Sequence, residues 1–217
     1  MRNRFLSLIS LATAFVIVLT GCSHAAPFTP PPGETEATQY LGIQLTPIND
    51  QGNNALAGTQ NIDRSTYKLV VDGLADSPLS LSYQDLLNLP QVSRVETLHC
   101  VEGWSFVAKW TGPTLASIFA LAQVKLSATI AIFHPADVPS GYSSLDLSYI
   151  NSQNIMIALK LNDVTLPVDR GFPFQVVAVG KWGYKWSKWV TRIELSSDQN
   201  FRGYWESRGY TNDGTIG

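Results

Sequence analysis

The chain is short of the side chains from which metal centres and disulfide frameworks are usually made, with two cysteines and three histidines in 217 residues. One cysteine, Cys22, closes an N-terminal apolar segment, which leaves Cys100 as the one thiol of the body. A lone thiol cannot close a disulfide, nor can it build a four-ligand zinc or iron–sulfur centre. The histidines, at 24, 99 and 134, lack HExxH spacing, which removes the commonest zinc-hydrolase pattern. GxGxxG, Walker and GxSxG sequences are missing as well. Dinucleotide, P-loop and nucleophile-elbow sites of those kinds are therefore not expected.

Charge is sparse. Charged residues make up 15% of the chain and the formal net charge is −2. Without a basic run or stripe there is no electrostatic footing for nucleic acid. Past residue 21 no apolar run approaches the roughly 20 residues that a bilayer span needs. The segment 5–19 is almost wholly apolar, follows Arg2 and Arg4, and runs into Leu19-Thr20-Gly21-Cys22. That make-up suits an export signal over 1–21 ending in a lipoprotein box. Cys22 is then expected to carry lipid and hold the exported chain to a bacterial membrane. Residues 22–39, with Pro30-Pro31-Pro32, read as a flexible tether. Residues 40–217 are the size of one domain, and an apolar content of 45% suffices for a core.

Within that domain, 67–71 alternates, is β-branched, and meets Asp72-Gly73, which predicts a strand and a turn. Ser82 can cap a short helix through Leu87, stopped by Pro90. Residues 92–99 read as extended and end on Cys100. After Pro113, the residues Leu115, Ile118, Phe119 and Ala122 share one helical face. Segments 129–133, 155–159 and 189–195 read as strands, and 174–179, apolar on both faces, as a central one. The tail from Phe201 reads as loop. Many short strands with few short helices predict a single compact α+β domain.

Two features can carry chemistry. Cys100, in His99-Cys100-Val101-Glu102-Gly103-Trp104, is either a small buried hydrophobe or a thiol kept for reaction. A Cys-His hydrolase would need His134, because His99 adjoins Cys100 on an extended segment and points to the opposite face. The other feature is Gly180-Lys181-Trp182-Gly183-Tyr184-Lys185-Trp186-Ser187-Lys188. Its glycines let backbone amides turn inward beside three lysines, which suits an anion. A plain aromatic, basic surface hairpin has the same composition.

Taken together, Cys100-Val101-Glu102-Gly103-Trp104, Trp110-x-Gly112, Arg170-Gly171-Phe172-Pro173, Gly183–Lys188 and Gly203-Tyr204-Trp205-Glu206 resemble the molybdopterin-binding domain of the sulfite oxidase family. The match in order and spacing covers about residues 40–212. The resemblance implies that family's mixed-sheet fold, with Cys100 as the protein ligand of a molybdenum held by a pterin dithiolene. It also implies that Lys185, Trp186, Ser187 and Lys188 clasp the pterin and its phosphate. Arg170 joins them, and Asn53-Asn54 resembles an asparagine pair that touches the cofactor in some relatives. A soft anionic sulfur agrees with such a metal site.

Three departures stand out. Arg170 occupies a position usually His or Asn, Gln175 stands where an arginine is usual, and Arg2-Asn3-Arg4 misses a twin-arginine signal by one residue. The resemblance to stand-alone members implies a monomer. Its activity would be two-electron oxygen-atom transfer on a small sulfur-oxo or similar substrate, with tryptophans walling the entrance and an external protein exchanging electrons. A sulfite-type site would gather arginines, for which Arg94, Arg170 and Arg192 are candidates. Two alternatives stay open: a lipid-anchored binding module that kept the fold without the cofactor, and a metal-free thiol hydrolase.

Overall fold

The computed structural model describes residues 27–217; the signal segment 1–21 and Cys22 lie outside the described residues. A small hairpin, β1 (Gln39–Tyr40) and β2 (Ile43–Gln44), leads into β3 (Lys68–Gly73) and β4 (Leu79–Ser82). Helix α1 (Tyr83–Asn88) separates them from the long pair β5 (Val92–His99) and β6 (Ser105–Gly112). Helix α2 (Leu115–Ala122), strands β7 (Ile130–Pro135) and β8 (Ser143–Asp146) and helix α3 (Leu147–Ser152) follow. The chain ends with the short strands β9 (Met156–Ala158), β10 (Lys160–Leu161), β11 (Val164–Thr165) and β12 (Gln175–Val177), then β13 (Val190–Ser196).

The strands form a mixed five-stranded sheet, β4-β3-β13-β7-β8, and a four-stranded sheet, β11-β10-β6-β5. In the first, β13 runs parallel to β3 and antiparallel to β7. Three short helices, α1 to α3, and four three-residue 3₁₀ turns among the described residues complete the mixed α+β class expected from the sequence. Local signals explain the helices. Ser82 and Asp85 form a reciprocal capping box at α1, and Thr114 caps α2 by accepting from Ser117 N, each satisfying orphan amides of the first turn. Leu115, Ile118, Phe119 and Ala122 of α2 are buried together, as their spacing predicts.

The reading of 174–179 as a central strand is corrected. Strand β12 pairs only with β9, and its other edge makes a single bridge, Gln175 to Lys188. It is buried because loops and the core cover it. Apolarity on both faces reports burial, not strand neighbours.

Residues 27–38 differ from a loose tether. Phe28 exchanges hydrogen bonds with the Asn49 side chain, and Ala37 N donates to Asn162 O at 2.8 Å. Glu34 Oε1 accepts from Thr165 Oγ1 at 2.6 Å. Glu36 Oε1 accepts from Ile48 N at 2.7 Å and from Asn162 Nδ2 at 3.2 Å. Two carboxylates that find part-buried amide and hydroxyl donors turn a Pro/Thr-rich segment into a docked strap.

Candidate functional site

Cys100 stands at the head of the β5–β6 hairpin. The eight-residue register from Val92↔Gly112 to His99↔Ser105 ends there, and the turn closes with Cys100 N donating to Trp104 O at 2.9 Å and Gly103 N to Cys100 O at 3.1 Å. The thiol is half-buried and lines a cleft whose free space, counted out to the open mouth, is about 890 Å³. Burial pushes the Cys100 thiol up from its ordinary value, and the Glu102 carboxylate adds to this while the Glu102 amide opposes it.

The loop 183–188 reaches the same cleft by close backbone packing. A Cβ on Gly183 would meet His99 O at 3.2 Å and Cys100 Cα at 3.6 Å. Gly171, at φ 111°, lets the chain turn against the Lys188 side chain, where a Cβ would lie 2.9 Å from Lys188 Cβ. Lys188 Nζ donates to Asn53 Oδ1 at 2.8 Å and to the Asp169 carbonyl at 3.2 Å, and also to the Asn54 carbonyl. Burial, assisted by the nearby Arg170 guanidinium, lowers Lys188 to about 8. Asn54 Nδ2 donates to Glu102 Oε1 at 2.8 Å, which ties the 52–54 loop to the cysteine turn. The asparagine pair, Cys100, Trp186, Lys188 and Arg170 thus share one cleft.

Other expected site residues lie elsewhere. Lys185 does not line the cleft; its Nζ donates to Glu206 Oε1 at 2.7 Å in a fully buried ion pair. Ser187 is buried behind the loop, with Oγ unpartnered. Arg170 borders the cleft, but Nη1 donates to Gly52 O at 2.7 Å and Nη2 to Ile48 O and Gln51 O at 3.0 and 2.9 Å. Three of its four terminal N–H groups are thus bonded to carbonyls, and Nε lies 3.4 Å from Asp169 Oδ2. Gln175 Nε2 donates to Trp186 O at 3.3 Å.

Arg94 is paired with Glu96 and the Gln153 carbonyl, and Arg192 with Asp72 and Glu194. Neither lines the cleft, so no arginine cluster forms there. Both ring nitrogens of His134 are engaged, by Pro139 O at 2.9 Å and Glu194 Oε2 at 3.0 Å, and His134 is not a cleft residue. A Cys100–His134 pair is not formed.

Sequence reasoning assigned no role to Glu102, Asp137 or Tyr142, all of which line the cleft. Glu102 sat inside the quoted motif and was legible there. Asp137 lies in the loop after β7, and no local pattern distinguishes it; burial pushes its carboxyl up while Lys188 opposes. Of the tryptophans expected at the entrance, Trp104, Trp186, Trp189 and Trp205 line the cleft.

The residues present fit a pterin-held molybdenum. Cys100 and a half-buried ammonium held by neutral oxygens, that of Lys188, line the same cleft. Arg170 Nε, buried at the cleft border, makes no hydrogen bond within the chain and lies 3.4 Å from Asp169 Oδ2. Of the cations expected to hold an anion, Lys188 and Arg170 line the cleft and Lys185 does not.

A family model, the oxidoreductase molybdopterin binding domain, matches residues 56–205. The chain is 31% identical over 151 residues to a putative protein-methionine-sulfoxide reductase subunit of Azospira oryzae, covering 70% of this chain and 56% of that protein. It is 30% identical over 225 residues to the protein-methionine-sulfoxide reductase catalytic subunit MsrP of Xanthomonas axonopodis pv. citri, covering 89% of this chain and 69% of that one. Among solved structures, the sulfane dehydrogenase SoxCD of Paracoccus pantotrophus is similar with a TM-score of 0.67 and 22% identity, over 71% of this chain and 44% of that chain. That likeness bears on the fold alone. The chain spans little more than half the length of the Azospira relative.

Proposed function

The chain belongs to the oxidoreductase molybdopterin-binding domain family, on the match over residues 56–205, and from that premise we propose an exported, lipid-held, monomeric enzyme that moves an oxygen atom in a two-electron step on a small sulfur-oxo substrate. The observation that carries this reading is that Cys100 and Lys188, 88 residues apart in sequence, line one cleft. When bound, the molybdenum cofactor supplies the two-electron oxygen-transfer chemistry. The chain's own residues bind and orient. Cys100 is the metal's protein ligand, and because burial holds its thiol up, loading releases a proton. Lys188 grips the anionic end of the cofactor, its ammonium aimed by Asn53 Oδ1 and the Asp169 carbonyl. The Asn54–Glu102 bond keeps the 52–54 loop against the cysteine turn.

Reduction of a sulfoxide is the direction we favour. It takes two electrons and two protons and yields a sulfide and water. Arg94 and Arg192 are committed to carboxylates outside the cleft, and three of the four terminal N–H groups of Arg170 to carbonyls, so little is left to hold an anionic sulfite. A neutral sulfoxide needs no such cluster. The names of the Azospira and Xanthomonas relatives point the same way. Electrons would come from a separate donor protein, with the lipid on Cys22 holding the enzyme at the membrane where that donor works.

A second reading, the cofactor-free binding module, draws on Gln175 and on the commitment of Arg170 to carbonyls. Metal analysis separates the two. Full-length protein made with intact cofactor synthesis is expected to hold one molybdenum per chain, lost in Cys100→Ser with the circular dichroism unchanged. A folded wild type without molybdenum would favour the module and overturn the enzyme reading.

A further inference from the structure

Lys185 sits in the loop that forms the cleft, yet its side chain serves another segment. Its Nζ donates to Glu206 Oε1 at 2.7 Å, and Ser143 Oγ donates to the same oxygen at 2.6 Å. The side chains of Lys185 and Glu206 are 1% and 0% exposed. Such a pair gives up hydration that two apolar residues would never need, so its contribution is sought in geometry rather than in stability.

Glu206 begins the short 3₁₀ turn Glu206–Arg208, in the segment 203–210. That segment presses on the body. Tyr204 N donates to Tyr142 O at 2.8 Å, and a Cβ on Gly203 would lie 2.0 Å from the Tyr142 carbonyl oxygen. Trp205 and Tyr210 from this segment, and Tyr184 beside Lys185, line the cleft. Their rings meet edge-on, with centroids 5.1 Å apart for Tyr184–Tyr210 and 5.3 Å for Trp205–Tyr210. Three aromatic rings from two distant parts of the chain therefore make one wall. The Lys185–Glu206 bond joins the two parts directly beneath it in sequence, one residue from Tyr184 and one from Trp205.

We propose that Lys185, Glu206 and Ser143 form a latch that positions the aromatic wall of the cleft, so that Lys185 is a positioning residue for substrate binding and not a cofactor ligand. The proposal rests on the reading of this cleft as a substrate site. An ion pair with a shared hydroxyl donor fixes direction as well as distance, which an apolar contact between two loops does not. The wall presents uncharged π faces and ring edges, which suit the methyl and methylene arms beside a sulfur atom.

The test uses the full-length holoenzyme and three readouts on Lys185→Met and Glu206→Gln: molybdenum content, amide hydrogen exchange, and steady-state reduction of dimethyl sulfoxide with reduced benzyl viologen. The glutamine of Glu206→Gln keeps the shape and an acceptor oxygen, so that variant is informative if Lys185→Met does not fold. The latch predicts wild-type molybdenum content and exchange of 203–211 faster by about tenfold while the β5–β6 hairpin is unchanged. It also predicts KM raised by about tenfold, the scale of one lost pocket contact, with kcat retained.

Loss of molybdenum from Lys185→Met with unchanged exchange in 203–211 would make Lys185 a cofactor ligand and overturn the proposal. Exchange that rises uniformly along the chain in Glu206→Gln would reduce the pair to general stability and overturn it too. A wild type free of molybdenum sinks the enzyme reading instead, and the exchange readout then still decides the latch.

Discussion

Lys188 is a half-buried cation held by neutral oxygens, and that has a measurable consequence. Its Nζ is bonded to Asn53 Oδ1 and to the carbonyls of Asn54 and Asp169, and burial brings it from 10.5 to about 8. An unfolded chain holds that proton up to the ordinary lysine range, near 10.4. Between about pH 8 and pH 10 the unfolded state therefore binds more protons at this site than the folded one. Stability should rise with pH across that window and level off above it, whereas below pH 8 both states are protonated and the slope vanishes.

The gap corresponds to about 3 kcal/mol at 1.36 kcal/mol per pH unit. Protein produced without molybdenum cofactor, unfolded with urea from pH 7 to 10.5, should show this rise relative to Lys188→Met, which cancels the titration of other groups. Cofactor-loaded protein should show a smaller rise, because a bound anion holds the ammonium protonated. Parallel pH profiles for wild type and Lys188→Met in the cofactor-free state would refute the account of Lys188 as a cation kept for an anion.

Two further substitutions probe how the cleft is supported. In Gly112→Ala the new Cβ would sit 1.8 Å from the Ile157 carbonyl oxygen, a backbone atom, so the chain must part there; a loss of about 3 kcal/mol in urea unfolding is expected, and a loss below 1 kcal/mol would contradict the geometry. Glu36→Ala leaves Ile48 N without its acceptor and Asn162 Nδ2 with only Thr46 O. About 1–3 kcal/mol should be lost, measured the same way, and an unchanged midpoint would mean that the strap carries no stability.

Much of the fold was legible from neighbours along the chain. Ser82 announces a cap because its hydroxyl needs only the amide three residues on, and Asp85 answers it. The buried face of α2 follows from side chains three and four apart on one helix. Residues 92–99 form the extended strand β5 and deliver Cys100 at its end, as read from the sequence. Burial of 174–179 was equally legible, but its partner strand was not, since apolarity says nothing of which edge is covered.

The residue sequence alone determined that one thiol is available to the body, that it ends a strand, and that a glycine-flanked lysine loop accompanies it. Tertiary structure decided which lysine of that loop faces the cleft. Lys185 and Lys188 lie three residues apart, yet the chain leaves the 3₁₀ turn at Trp186, with φ −92° and ψ 71°, and the two ammonium groups part. One meets a carboxylate 21 residues away and the other an asparagine 135 residues back. Likewise Asp72 claims Arg192 across 120 residues, and the carbonyls of 48–52 claim Arg170. A charge settles where its long-range partner waits, and local pattern carries no record of that partner.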